Sequence, residues 1–191
     1  SSIIFGVLLF LSISLFVINC KKIIRNIKIG RDVDRFNNKK VRFYKMLRLA
    51  FGQTKMLNKP VVGFLHLIVY LAFILINIEL IEIIVDGLTG THRVFGPYLG
   101  KFYDFLIGFF EILAFLVIIS VIIFLIRRNL MKISRFISND LNGWPKSDGN
   151  YILYIELVLM FLFLNMNATD QILQNANYLN YGSYGSFPIS S

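Results

Sequence analysis

The chain has 191 residues, 56% of them hydrophobic and only 16% charged, with a formal net charge of +9 and a mean hydropathy of +0.66. Soluble domains run near roughly 25% charged and 45–50% apolar residues, so this balance excludes an ordinary soluble domain and points to a membrane protein. The single cysteine, Cys20, excludes a disulfide framework, a thiolate zinc site and a cysteine-ligated iron–sulfur cluster built from this chain alone.

Four apolar stretches, at about 3–19, 61–85, 102–126 and 151–173, are long enough to cross a hydrocarbon core, which takes roughly 20 helical residues. The first lacks the basic flank before it and the small-residue cleavage site after it that a signal peptide needs. Lys21, Lys22, Arg25 and Lys28 follow it instead, the flank of a helix that enters with its amino terminus outside. The loop 21–59 carries thirteen Lys and Arg against Asp32 and Asp34. Within it, Lys39 to Leu57 places Val41, Tyr44, Leu47 and Phe51 on one helical face and Lys40, Arg42, Lys45 and Arg48 elsewhere, which predicts a helix lying on the inner membrane surface. The connection 86–101 has only Arg93 and Lys101, the loop 127–149 has five basic residues, and the Gly/Ser/Tyr/Asn-rich tail 174–191 has none. Eighteen of the twenty basic residues thus fall on one side, which predicts both termini outside and both basic loops in the cytoplasm. The expected fold class is all-α, a polytopic membrane helix bundle of four spans in one transmembrane domain, with membrane lipid as its surroundings. Because the charge abuts membrane helices, it is read as topology and not as a nucleic-acid patch. The chain opens on Ser1-Ser2 and closes on Ser190-Ser191, which reads as a piece of a longer protein.

Polar groups inside a span are costly, which makes each one a functional candidate. At 1.5 Å per residue His66 lies roughly 9 Å from Pro60 at the inner end of span two, and Glu156 lies about as deep in span four. Glu79, Glu82, Glu111, Asn165 and Asp170 fall in the outer half. Helical phase puts Tyr70, Phe73 and Asn77 on the His66 face and Glu79, Glu82 and Asp86 on a roughly opposite one, so both faces call for burial in a bundle or a homo- or hetero-oligomer. An imidazole with aromatics on its own face suits an axial haem ligand, and it equally suits a histidine bonded to a neighbouring helix. His92 is a second candidate, with a solvated loop residue as its plainer reading. The two cannot share one haem, because 26 residues, roughly 39 Å of helix, separate them. Second ligands would come from another segment or from Met56, Met160 or Met166. Glu79 and Glu111 are the better proton relays for a quinone; Glu82, Asp86 and Asp104 are expected to pair with Arg93 and Lys101 at the interface.

Phe64-Leu65-His66-Leu67-Ile68-Val69-Tyr70 with Phe73 resembles the start of span two in membrane-bound iron–sulfur oxidoreductases. Those proteins join a transmembrane domain similar to the nitrate reductase gamma subunit to a cytoplasmic cysteine-rich domain of heterodisulfide-reductase type. Arg48-Leu49-Ala50-Phe51-Gly52-Gln53, Gly90-Thr91-His92-Arg93 and Arg127-Arg128-Asn129 extend the likeness over nearly the whole chain. The resemblance implies a five-helix domain in the bacterial inner membrane that holds haem b and exchanges electrons with a quinone. It further implies iron–sulfur clusters in a cytoplasmic domain or subunit outside this chain, with an electron-transfer flavoprotein among the partners. This chain departs from the pattern by ending after span four, before the histidine-bearing fifth helix, and by Ala72 where the family often has glycine. The expected function is an electron-transfer module with His66 and His92 as haem-iron ligands, Tyr70 and Phe73 as porphyrin walls, and Glu79, Glu111 and Glu156 as proton- or quinone-linked groups. The competing readings are a haem-free anchor that docks a soluble oxidoreductase, and a small proton- or ion-transport or assembly subunit.

Overall fold

An apolar run in hydrocarbon must satisfy every backbone N–H and C=O internally, and a helix does this within one segment. The computed structural model describes residues 2–30, 37–52, 60–131, 144–176 and 182–190. Its elements are α1 (Ser2–Lys28), α2 (Lys39–Gly52), α3 (Pro60–Thr89), the short α4 (Gly96–Leu99), α5 (Lys101–Asn129) and α6 (Trp144–Asn175), with no strand among the described residues. Four of these helices, α1, α3, α5 and most of α6, are long and apolar enough to cross a membrane. The chain is therefore an all-helical, multi-pass membrane protein by length and composition. The helices outrun the apolar stretches by several residues; α1 continues through Lys21 and Arg25 to Lys28, since charged side chains at a helix end reach the polar interface without ending the backbone bonding. Isolated hydroxyls and amides in the spans bond to the carbonyl one turn back: Ser12 to Leu8, Ser14 to Phe10, Ser120 to Leu116 and Asn165 to Phe161.

The centre of the bundle is α5, which packs on α3 along one side and α6 along another. Its buried apolar residues Tyr103, Ile107, Phe110, Ala114, Val117 and Val121 recur at alternating steps of four and three, the spacing that keeps one seam facing its neighbours. Ala114 and Val117 are completely buried, and small residues at such a seam let helix backbones approach closely. Ala72 from α3 and Met160 and Phe163 from α6 complete the core. Helix α1 buries none of its residues. It touches α3 near one end, where the Phe5 ring lies over Gly87 and Leu88 lies by Gly6.

Helix α2 also buries none of its residues. Leu47 is half-covered, while Val41, Tyr44 and Phe51 are exposed, so its apolar face is unused by the bundle. The remainder of the predicted surface helix, residues 53–57 with Met56, lies outside the described residues, as do 31–36, 58–59 and 132–143 of the basic loops and 177–181 of the tail. At the basic end the Asn129 and Asn150 amides bond to each other across α5 and α6. The opposite end, which bears the α3–α5 connection, is called the acidic end below.

Candidate functional site

The acidic end is organised around one arginine. Helix α3 stops at Thr89, and Gly90 follows at φ 75°, the left-handed conformation that commonly ends a helix. The Asp86 carboxylate then gathers the turn, accepting from the backbone N–H of Arg93 at 2.8 Å and of Val94 at 3.3 Å and from the Thr91 hydroxyl at 2.7 Å. Arg93 is held at φ 54°, which costs a non-glycine residue about 1–2 kcal/mol. That backbone setting turns its side chain inward, where the residue is 6% exposed.

Inside, the guanidinium fork meets three helices. Nε donates to Asp170 Oδ2 at 2.9 Å, Nη1 to Glu79 Oε1 at 3.2 Å and to the Tyr103 hydroxyl at 3.1 Å, and Nη2 to Asn167 Oδ1 at 3.0 Å. Tyr103 passes its own proton to Glu82 at 2.6 Å, and Glu82 also accepts from the Phe95 backbone N–H at 2.9 Å. The fork geometry of arginine, with its several fixed donors, is what allows one cation to serve four partners. Burial works against the charge on Arg93, but Tyr103, Glu79 and Asp170 outweigh it and hold the group above the usual arginine range. Its side chain also lies within cation–π reach of the Tyr103 and Phe187 rings, at 5.8 and 5.6 Å.

Beside this cluster is a cavity of about 580 Å³. Its polar wall is Glu79, Glu82, Asp86, Thr91, His92, Arg93 and Asp170, and its apolar wall includes Phe5, Ile83, Leu162 and Leu173. His92 Nε2 lies 2.6 Å from Asp170 Oδ1, the partner it shares with Arg93. One oxygen of Glu79, Oε2, is buried with no hydrogen-bond partner. The cavity thus combines an open acceptor, a His–Asp pair and flat apolar surface, the mixture typical of small-molecule sites.

The candidate residues fall at separate places. Glu79 and His92 share the cavity. Glu111, expected as a relay, is fully buried on α5, but its carboxylate accepts from the backbone N–H of Ile189 at 3.0 Å and from the Ser190 hydroxyl. Glu156 is half-buried on α6, away from that cluster. His66 and Tyr70 are half-buried on α3 and Phe73 is 64% exposed, so that face is left largely open while the Glu79 and Glu82 face packs inward. Arg93 pairs with Glu79 and Asp170 and not with the expected Glu82, Asp86 and Asp104, whose carboxylates instead accept from Tyr103 and the Phe95 N–H, from the Arg93 backbone N–H, and from the Gly185 N–H.

His92 meets the Asp170 carboxylate through Nε2, so a haem iron would have to be met through Nδ1. His66 has no hydrogen-bond or ion-pair partner among the described residues and stands beside Tyr70 and Phe73 on an open face, which fits one flank of a flat group. No group of three or more His, Cys, Asp or Glu side chains is placed to hold a metal ion among the described residues.

Sequence reasoning singled out Asp170 and Arg93 but not their convergence, and it missed Tyr103 and Phe187. The available signal was the scarcity of cations at this end: Arg93 and Lys101 stand against six acids from Glu79 to Asp170.

No known family profile matches the chain, and no solved structure matches it. A protein described as "Probable iron-sulfur-binding oxidoreductase FadF" from Bacillus subtilis (strain 168) is 30% identical over 124 residues, covering 65% of this chain. The chain spans 17% of the length of that relative. Over this stretch it is similar to part of an iron–sulfur-binding oxidoreductase.

Proposed function

We propose that this chain is the membrane part of an iron–sulfur redox assembly of the nitrate reductase gamma-like kind, exchanging electrons with the quinone pool of a bacterial inner membrane. The observation that carries the reading is the cavity at the acidic end. Its size and apolar wall suit a quinone head with the start of its tail, and its polar wall suits proton-coupled chemistry. Reduction of a quinone takes two electrons and two protons, and quinol oxidation returns them. In the cavity Glu79 and the His92–Asp170 pair are the groups that hold or move those protons. Arg93 fixes the carboxylates, and the Phe5 side of the cavity excludes water. The topology read from the loop charges puts this cavity on the outer side, facing away from the cytoplasmic partner.

The similarity to an iron–sulfur-binding oxidoreductase supports the redox assignment. With one cysteine in the chain, the clusters belong to a cytoplasmic domain or subunit outside it. On the inner half, His66 with Tyr70 and Phe73 beside it would be the residues of this chain that hold a b-type haem, which would supply a one-electron carrier there. Glu111 and Glu156 are not given proton-relay roles, the first because it is tied to the tail.

Two measurements test the reading on the full-length protein. Reduced-minus-oxidised absorbance is expected to show b-type haem bands that His66→Ala diminishes and His92→Ala leaves intact. Quinone-dependent turnover is expected to fall about a hundredfold or more in Glu79→Gln, the loss of one acid–base group. Unchanged bands in His66→Ala remove the haem claim, and unchanged turnover in Glu79→Gln removes the quinone site. Normal turnover in both leaves the haem-free anchor, for which the unpacked basic helix α2 is the docking surface.

A further inference from the structure

The tail folds back into the bundle. Residues 182–190 run without helical structure along α5 from the level of Asp104 to that of Glu111, roughly 10 Å at the rise of a helix. Backbone outside a helix survives at such depth only where protein satisfies it. Asp104 accepts from the Gly185 N–H at 2.6 Å, Gln174 donates to the Tyr184 carbonyl at 2.8 Å, and Glu111 accepts from Ile189 and Ser190. The contact is close: a Cβ at Gly108 would lie 3.3 Å from the Ser186 Cβ. Gly185 takes φ 96° beneath Phe187 and Ile107, a conformation that delivers the Phe187 ring inward to a 7% exposed position beside Arg93.

We propose that segment 182–190 is a positioning strap for the acidic-end cavity, with Phe187 as its working residue: the ring seats the Arg93 guanidinium, and the guanidinium in turn keeps Glu79 and Asp170 turned into the cavity wall. Arg93 has carboxylates, an amide and a hydroxyl around its nitrogens and lies within cation–π reach of two rings, of which only Phe187 arrives from outside the helices. Neither Glu111 nor Asp104 then handles protons. Their carboxylates act as acceptors for a returning backbone, which accounts for two acids on α5 that the cavity does not use. The inference goes beyond the quinone reading, since it concerns the shape of the cavity and stands for any occupant.

The test uses the full-length protein in membrane vesicles with Cys20→Ser and a reporter, Leu173→Cys, at a half-buried position on the cavity wall. A membrane-impermeant maleimide reads access from the acidic end, and Tyr98→Cys on exposed α4 serves as control. Two variants disturb the strap differently: Phe187→Ala removes the ring, and Gly108→Leu lifts the segment from below. Both are expected to raise labelling of the reporter about tenfold, the ratio a desolvated cation–π contact sustains, with the control unchanged and Phe187→Tyr restoring the wild-type rate. A strap that only adds stability lowers the unfolding temperature in both variants without changing labelling, and that result overturns the proposal. Should Phe187→Ala fail to fold, Phe187→Leu keeps most of the buried volume while removing the π face and reads the same outcomes. A failed quinone assay leaves this labelling result unaffected, so the two readings fall separately.

Discussion

Replacing Arg93 with methionine keeps an unbranched side chain of similar length and deletes every donor. The change strands Glu79, whose side chain is 1% exposed, takes one partner from Asp170, which keeps His92 and Gln174, and empties one bond each to Tyr103 and Asn167. Removing one partner of a buried ion pair costs about 3–5 kcal/mol. Against a total stability of about 5–15 kcal/mol, that is a large share. For a chain of this length each kcal/mol moves the unfolding midpoint by about 2–4 °C, so Arg93→Met is expected to lower Tm by about 6–20 °C. Thermal unfolding of purified protein in one detergent or nanodisc composition measures it. Adding Glu79→Gln and Asp170→Asn to Arg93→Met removes both carboxylate charges and is expected to recover part of the loss. Arg93→Lys keeps a charge without the fork and is expected to fall between the two. A loss for Arg93→Met below about 1 kcal/mol, the value of an exposed pair, with no recovery in the triple variant, refutes the buried hub.

Tyr103→Phe keeps the ring and removes the hydroxyl shared by Glu82 and Arg93; a loss of about 1–3 kcal/mol is expected in the same unfolding assay, as for a buried acceptor left without its donor. Gly96→Ala would bring a Cβ to 2.7 Å from the Tyr184 ring, whereas at Gly6 the added atom would lie 3.7 Å from Leu88. The first is expected to cost about 1–3 kcal/mol by overpacking and the second to be tolerated, as read by parallel melting curves. Phe51→Ser on α2 is expected to change bundle stability by less than about 0.5 kcal/mol, the range of surface substitutions, because the helix buries nothing; a drop in Tm comparable with that of Tyr103→Phe shows that α2 packs on the bundle after all.

The spans were legible because twenty-odd apolar residues in hydrocarbon admit few structures. On α3 the grouping of Glu79, Glu82 and Asp86 on one face was legible, and the first two are buried, but the His66 face, equally expected to be buried, is left largely open with Phe73 64% exposed. The seam of α5 was not, because that helix is apolar all round and its pattern does not say which stripe meets a neighbour. The strap was hidden for a different reason. A Gly/Ser/Tyr/Asn-rich tail has the composition of a loose outer loop, and what orders it are acceptors about eighty positions earlier, Asp104 for Gly185 and Glu111 for Ile189. Long-range pairings of single carboxylates with backbone leave no periodic trace. His92 shows the same limit: its partner Asp170 is 78 residues away, and the local sequence Thr91-His92-Arg93 carries no sign of it.

Phe5 stands at once on the cavity wall and against Gly87, and it belongs to the one spanning helix with no buried residue. Among the cavity's walls, α3 and α6 are committed to the α5 seam, so displacing either would break the core. Tilting α1 breaks only edge contacts. An amphiphile arriving from within the bilayer would therefore meet a wall held by edge contacts beside two walls held by the buried seam, and its passage would turn on the former.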